Sequence, residues 1–141
     1  MIVGYTSGVF DLFHVGHVNI LRNARALCDR LIVGVTSDEL VYYKGKKAVI
    51  SYEDRVEVVR ACRYVDLVVP QASLDKVAAW ERLKFDRLFV GDDWFGRDTW
   101  QDFEARLKKV GVQVTYLPYT QGTSSTKLRG KHSTGVKAKA R

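Results

Sequence analysis

The sequence predicts a single-domain, doubly wound α/β fold built on a parallel sheet. Three observations carry that expectation. Strand-like and helix-like runs alternate along the chain, as they do where crossover helices lay parallel strands side by side. The run 30–36, Arg-Leu-Ile-Val-Gly-Val-Thr, is almost wholly apolar, like a strand covered on both faces. The segment from Gly8 to His17 follows the first apolar run and leads into an amphipathic helical pattern. Ligands of such sheets bind at turns of this kind, beyond the carboxyl ends of the strands.

Taken in order, residues 1–6 read as the first strand and 18–27 as a helix with apolar residues at helical spacing. The second strand, 30–36, hands over to a loop through Lys47. A helical pattern over 53–63 offers Val56, Val58, Val59 and Ala61 for burial. Residues 67–69 form a short strand that Pro70 is expected to end. A helix follows over 74–83, a strand over 87–90 and a helix over 100–110. Gly111 fits the stop of that helix, before a last strand over 112–117. Four loops therefore collect at one edge of the sheet: 8–17, 36–47, 91–94 and 119–126.

A chain of 141 residues can bury one core, and its 46% hydrophobic and 28% charged content is ordinary for a globular domain. It shows no apolar stretch long enough to span a bilayer and no leader with a cleavage site. Cys28 and Cys62 lack motif spacing and fit a reducing compartment, so the cytoplasm is expected. The net charge of +7 sits mainly at the C-terminal end. No acidic residue follows Glu104, and the six cations of 127–141 account for all but one of the excess. Residues 1–130 are expected to fold, with 131–141 a basic, disordered tail. A solvated tail is the preferred reading, so neither a specific nucleic-acid site nor membrane insertion is expected.

The first turn carries the sharpest chemistry. A helix N-terminus offers unpaired N–H groups and the positive end of the helix dipole, which suits phosphate. His14 and His17 can donate hydrogen bonds there as well. Zinc is disfavoured, because the third histidine, His132, lies in the tail and the cysteines stand far apart. Asp11 can hold its loop or cap a turn. Lys44, Lys46 and Lys47 form either a solvated cluster or a source of charge for a triphosphate. Arg55 and Arg63 lie about two helical turns apart. One of them is expected to reach the site and the other to pair with Asp66 or a partner subunit. In 122–129, hydroxyl residues open a helix after the last strand, and Ser124 or Ser125 is placed to cap it. Asp92, Asp93 and Trp94 are open to metal binding, capping or contact with a base.

Gly8-Val9-Phe10-Asp11, His14-Val15-Gly16-His17, Lys44-Gly45-Lys46, Arg63-Tyr64-Val65-Asp66, Gly91-Asp92-Asp93-Trp94 and Gly122-Thr123-Ser124-Ser125-Thr126-Lys127 stand in this order. In this the chain resembles the cytidylyltransferases of the His-x-Gly-His nucleotidyltransferase superfamily, above all those acting on glycerol 3-phosphate. The resemblance runs from residue 1 to about 130 and implies a Rossmann-like sheet. It implies transfer of CMP from CTP to glycerol 3-phosphate, giving CDP-glycerol and pyrophosphate, with Mg²⁺ carried by the triphosphate. It also implies a homodimer, and in a bacterial host a place in teichoic-acid or capsule synthesis. His14, His17, Lys44 and Lys46 would be catalytic. Ser7, Gly8, Phe10, Gly16, Asp93, Thr120, Ser124 and Ser125 would hold the nucleotide, and Lys44, Arg55, Arg63 and Trp94 the acceptor.

One departure stands out. Where the family's last loop reads Arg-Thr-x-Gly-Ile-Ser-Thr-Thr, this chain has Tyr119-Thr120-Gln121-Gly122-Thr123-Ser124-Ser125-Thr126. The lost cation removes a charge-assisted hydrogen bond of about 1.5–3 kcal/mol. Stacking by Tyr119, or a charge from Arg97 or Arg129, is expected to substitute. The alternatives are a CTP- or ATP-dependent transferase for another phosphorylated alcohol or sugar, such as a heptose phosphate, and a non-catalytic nucleotide-binding module.

Overall fold

Five parallel strands lie in the order β3-β2-β1-β4-β5 in the computed structural model, which describes residues 1–43, 45–91, 98–118, 120 and 128. The elements are β1 (Val3–Gly8), α1 (Val15–Arg25), β2 (Arg30–Thr36), α2 (Asp38–Tyr43), α3 (Tyr52–Arg60) and β3 (Leu67–Gln71), then α4 (Lys76–Leu83), β4 (Arg87–Gly91), α5 (Asp98–Lys109) and β5 (Gln113–Leu117). The strand order reverses between β1 and β4. That reversal opens a crevice at their carboxyl ends, where the turn after β1 stands.

Alternation along β2 explains the two layers of helices. Leu31, Val33 and Val35 pack in one core with Leu21 and Ala24 of α1, Val59 of α3 and Phe89. Ile32 points the other way, into a second core with Tyr5, Phe85, Leu88, and Trp100 and Leu107 of α5. The side chains of α4 at Val77, Trp80 and Leu83 pack against that second core. Because six of the seven β2 residues are buried, a one-residue slip of register would exchange the contents of the two cores.

The structure departs from the sequence reading at three places. Helix α1 starts at Val15, three residues early, because His14 serves as its N-cap. The loop after β2 contains a short helix, α2, that buries Leu40 and Val41 and leaves Tyr42 and Tyr43 exposed. Strand β3 continues through Pro70, which pairs with Val35, to Gln71. Pro70 does not end it because β3 is an edge strand, where a missing N–H can face away from the sheet. Gly111, expected as a helix stop, has φ +88°, a conformation in which a side chain would be strained.

Candidate active site

The turn after β1 is shaped by two left-handed residues, Phe10 at φ 54° and Leu12 at φ 51°. Such conformations are costly for side chains other than glycine and persist only when their surroundings fix them. Phe10 is buried in the core beneath α1. Asp11, between them, is 1% exposed and accepts hydrogen bonds from Val49 N (2.9 Å) and Ile50 N (2.9 Å), one at each carboxylate oxygen. Asp11 therefore ties the turn to the segment that follows Lys46 and Lys47.

His14 and His17 cap α1 reciprocally. His14 Nδ1 accepts from Gly16 N at 3.0 Å, and His17 Nδ1 accepts from His14 N at 3.1 Å. The rings stack with centroids 3.9 Å apart. A nitrogen that accepts a bond carries no proton, so each neutral ring keeps its hydrogen on Nε2. Burial, with a smaller push from His14, lowers His17 from its ordinary pKa to about 4, against an upward pull from Asp11. Burial lowers His14 as well. At neutral pH both rings are thus uncharged, each with its hydrogen on Nε2. The first turn of α1 holds no acidic residue, which leaves the positive end of its dipole suited to an anion. A side chain at Gly16 would strike the His14 ring at 2.7 Å, with Thr120 3.6 Å away.

Around this pair stand several further residues. Ser7 and Gly8 end β1 at the crevice, and Lys76 Nζ, on the first residue of α4, donates to Ser7 Oγ at 2.7 Å. Thr120 Oγ1 accepts from Asn19 Nδ2 of α1 at 2.8 Å, and the Asn19 carbonyl oxygen in turn accepts from Arg22. Lys46 is exposed beyond α2. Lys44, Asp93, Trp94, Tyr119, Ser124 and Ser125, with Asp92, Arg97, Arg129 and the tail, lie outside the described residues.

Two arginines differ from expectation. Arg55 is fully buried: Nε donates to Ile50 O (3.0 Å), Nη1 to Val9 O (2.7 Å) and Thr36 O (2.7 Å), and Nη2 to Asp38 (2.6 Å). It clamps together the segments after β1, after β2 and before α3, in place of the acceptor contact expected of it. Its burial follows from those four acceptors, which replace the water a guanidinium would otherwise need. Arg63 lies over the Tyr64 ring at 5.7 Å, and Asp66 pairs instead with Arg25 at 3.0 Å and accepts from Leu31 N at 2.8 Å. Lys76 and Asn19 were missed by sequence reasoning. Their partners lie 69 and 101 residues away, and no local pattern encodes such distances. The one available signal for Lys76 was its place at a helix start beyond a strand.

The family model described as cytidylyltransferase-like matches residues 5–131. The chain belongs to the cytidylyltransferase-like family. It is a nucleotidyltransferase, and its first turn and parallel sheet are the parts that the geometry above accounts for. The glycerol-3-phosphate cytidylyltransferase of Bacillus subtilis (strain 168) is 39% identical over 131 residues, covering 88% of this chain and 92% of its own. The FAD synthase of Pyrococcus horikoshii is 43% identical over 124 residues, covering 79% of this chain and 77% of its own. Among solved structures, the lipopolysaccharide core biosynthesis protein of Thermoplasma volcanium GSS1 shares the fold. Its TM-score is 0.72 at 24% identity, with 87% of this chain and 99% of that one covered. Among the described residues no helix is long and apolar enough to cross a membrane.

Proposed function

We propose that this nucleotidyltransferase transfers CMP from CTP to glycerol 3-phosphate, forming CDP-glycerol and releasing pyrophosphate. The observation that carries the chemistry is the reciprocal cap, which puts the His14 and His17 protons on Nε2 at a helix start with no acidic residue in its first turn. The choice of substrates is supported by the full-length similarity to glycerol-3-phosphate cytidylyltransferases.

An oxygen of the acceptor's phosphate attacks the α-phosphorus in line, and the bond to the β-phosphate oxygen breaks, its electron pair leaving with pyrophosphate. The second pKa of a phosphate monoester is about 6, so the nucleophile is ionised at neutral pH and needs no general base. What remains for the protein is alignment and stabilisation of charge around phosphorus. His14 and His17 donate to phosphate oxygens, with Lys44 and Lys46 adding positive charge. Ser7, Gly8, Gly16 and Thr120 stand by the turn to hold the nucleotide, and the family resemblance adds Ser124 and Ser125 to that task and gives Asp93 and Trp94 the base and acceptor. Mg²⁺ is assigned to the triphosphate, whose oxygens suit a hard cation.

A second reading, transfer of AMP to a different phosphorylated acceptor, is favoured by the identity to FAD synthases and by Tyr119 in place of arginine. Pyrophosphate release, with CTP and ATP crossed against glycerol 3-phosphate, a heptose phosphate and flavin mononucleotide, separates the two. Turnover confined to CTP with glycerol 3-phosphate supports the first reading. Turnover with ATP alone moves the assignment to the second, and silence across the grid contradicts both.

A further inference from the structure

We propose that Arg22 of α1 gives the triphosphate the cation that the last loop lacks at Tyr119, an inference that rests on the transferase reading above. Arg22 lies in the last turn of α1 and is exposed. A cation there ordinarily serves the carbonyls at the helix C-terminus. Other arginines do so in this chain: Arg25 Nη1 donates to Cys28 O at 2.8 Å, and Arg87 Nη1 to Leu27 O at 2.5 Å. Arg22 turns the opposite way. Its Nη2 donates to Oδ1 of Asn19, one turn nearer the helix start. Asn19 Nδ2 in turn donates to Thr120 Oγ1 at 2.8 Å, joining α1 to the segment that follows β5. Thr120 stands beside the first turn of α1, since a Cβ placed at Gly16 would lie 3.6 Å from Thr120 Cβ and 2.7 Å from the His14 ring. One amide thus leads from the guanidinium to a hydroxyl next to the histidine turn.

The chemistry of this chain of donors suits phosphate. The partner of Arg22 is a neutral amide oxygen, which leaves the positive charge in place for an anion. An amide that accepts from a cation becomes a stronger donor in its own right. Thr120, whose oxygen accepts from Asn19, still has its hydroxyl hydrogen to give. The guanidinium adds further N–H groups in a fork that matches phosphate oxygens. Gly16, Asn19 and Arg22 climb α1 in steps of three, so each is the neighbour of the next on the helix surface. With His14 and His17 holding the reacting α-phosphate at the helix start, Arg22 would meet the outer phosphates, which leave as pyrophosphate. Tyr119 stands where the family's last loop opens on arginine, so the charge reaches the nucleotide from α1 instead of from that loop.

The test compares the wild type with Arg22→Met and with the double variant Arg22→Met, Tyr119→Arg. Calorimetric titrations with Mg²⁺ use CTP and CMP, and in parallel ATP and AMP. Arg22→Met is expected to weaken binding of the triphosphate about tenfold, the lower end for a charged hydrogen bond because an exposed guanidinium is screened. Binding of the monophosphate should change by less than about twofold, and the melting temperature should stay near that of the wild type. Returning a cation to the loop with Tyr119→Arg should restore most of the triphosphate affinity. Unchanged triphosphate binding by Arg22→Met, an equal loss for triphosphate and monophosphate, or a loss that Tyr119→Arg does not relieve would overturn the role of Arg22 and leave the transferase reading standing. Failure of the wild type to bind either CTP or ATP would overturn that reading, and the role of Arg22 with it.

Discussion

Asparagine places an oxygen where histidine has Nδ1 and nothing where it has Nε2–H, so it divides capping from chemistry at His14 and His17. Each Asn variant is expected to keep the helix start, with a melting temperature near that of the wild type. Its kcat should fall about 10²–10³-fold, as when one transition-state donor is removed. Alanine at His14 should in addition cost about 1 kcal/mol of stability through the lost cap, and denaturant melts would show it. A fall in stability without a fall in kcat would reverse the assignment. The pH dependence has a definite sign. His17 titrates near 4 when folded and near 6.5 when unfolded, so the unfolded chain binds the extra proton between those values. Stability from this residue is complete above about pH 6.5 and is lost as pH falls toward 4, by as much as about 3 kcal/mol. Chemical denaturation at pH 7 and pH 4.5 should therefore show a smaller loss on acidification for His17→Asn than for the wild type. The two histidines could be found from spacing alone, because a cap and its partner lie within one helical turn. Lys76 could not, since its meeting with Ser7 is made by the fold.

Among the elements, the segment before α3 hangs on Asp11 and Arg55. Asp11→Asn keeps one acceptor oxygen and leaves Val49 N or Ile50 N unpaired, at a cost of about 1–3 kcal/mol. Faster amide exchange over residues 46–50 and a raised KM for nucleotide are expected, because Lys46 would lose its fixed placement. Arg55→Met strips donors from three carbonyls and removes the cation paired with Asp38. A loss of about 1–3 kcal/mol for each buried carbonyl left without its donor is expected from denaturant melts, with the residual folded enzyme keeping its acceptor KM. A selective rise in acceptor KM at unchanged stability would instead return Arg55 to substrate contact. Arg55 shows where sequence reading stops: a basic residue on a helix near a site reads the same whether it faces ligand or buried carbonyls. Helix α2 escaped notice because six residues are too few to display a helical period. Pro70 misled because its effect depends on whether the strand is central or at the edge, which only the sheet order decides.

At the scale of the whole molecule, alternation of apolar runs sufficed for the parallel sheet, since strands buried on both faces and amphipathic helices have different periods. It also sufficed to bring the first turn to the ligand edge. The order β3-β2-β1-β4-β5, by contrast, depends on pairings between distant strands. That order places the crevice between β1 and β4, where the turn after β1 leads into α1. In the proposed reaction one substrate's phosphate attacks the other's α-phosphorus. Phosphorus NMR of the protein with CTP, Mg²⁺ and glycerol 3-phosphate tests it most directly. Direct transfer gives paired loss of the triphosphate and monoester signals, with a new diphosphate diester and free pyrophosphate appearing in equal amounts. Consumption of CTP to inorganic phosphate or CMP, with the glycerol 3-phosphate signal unchanged, would contradict it.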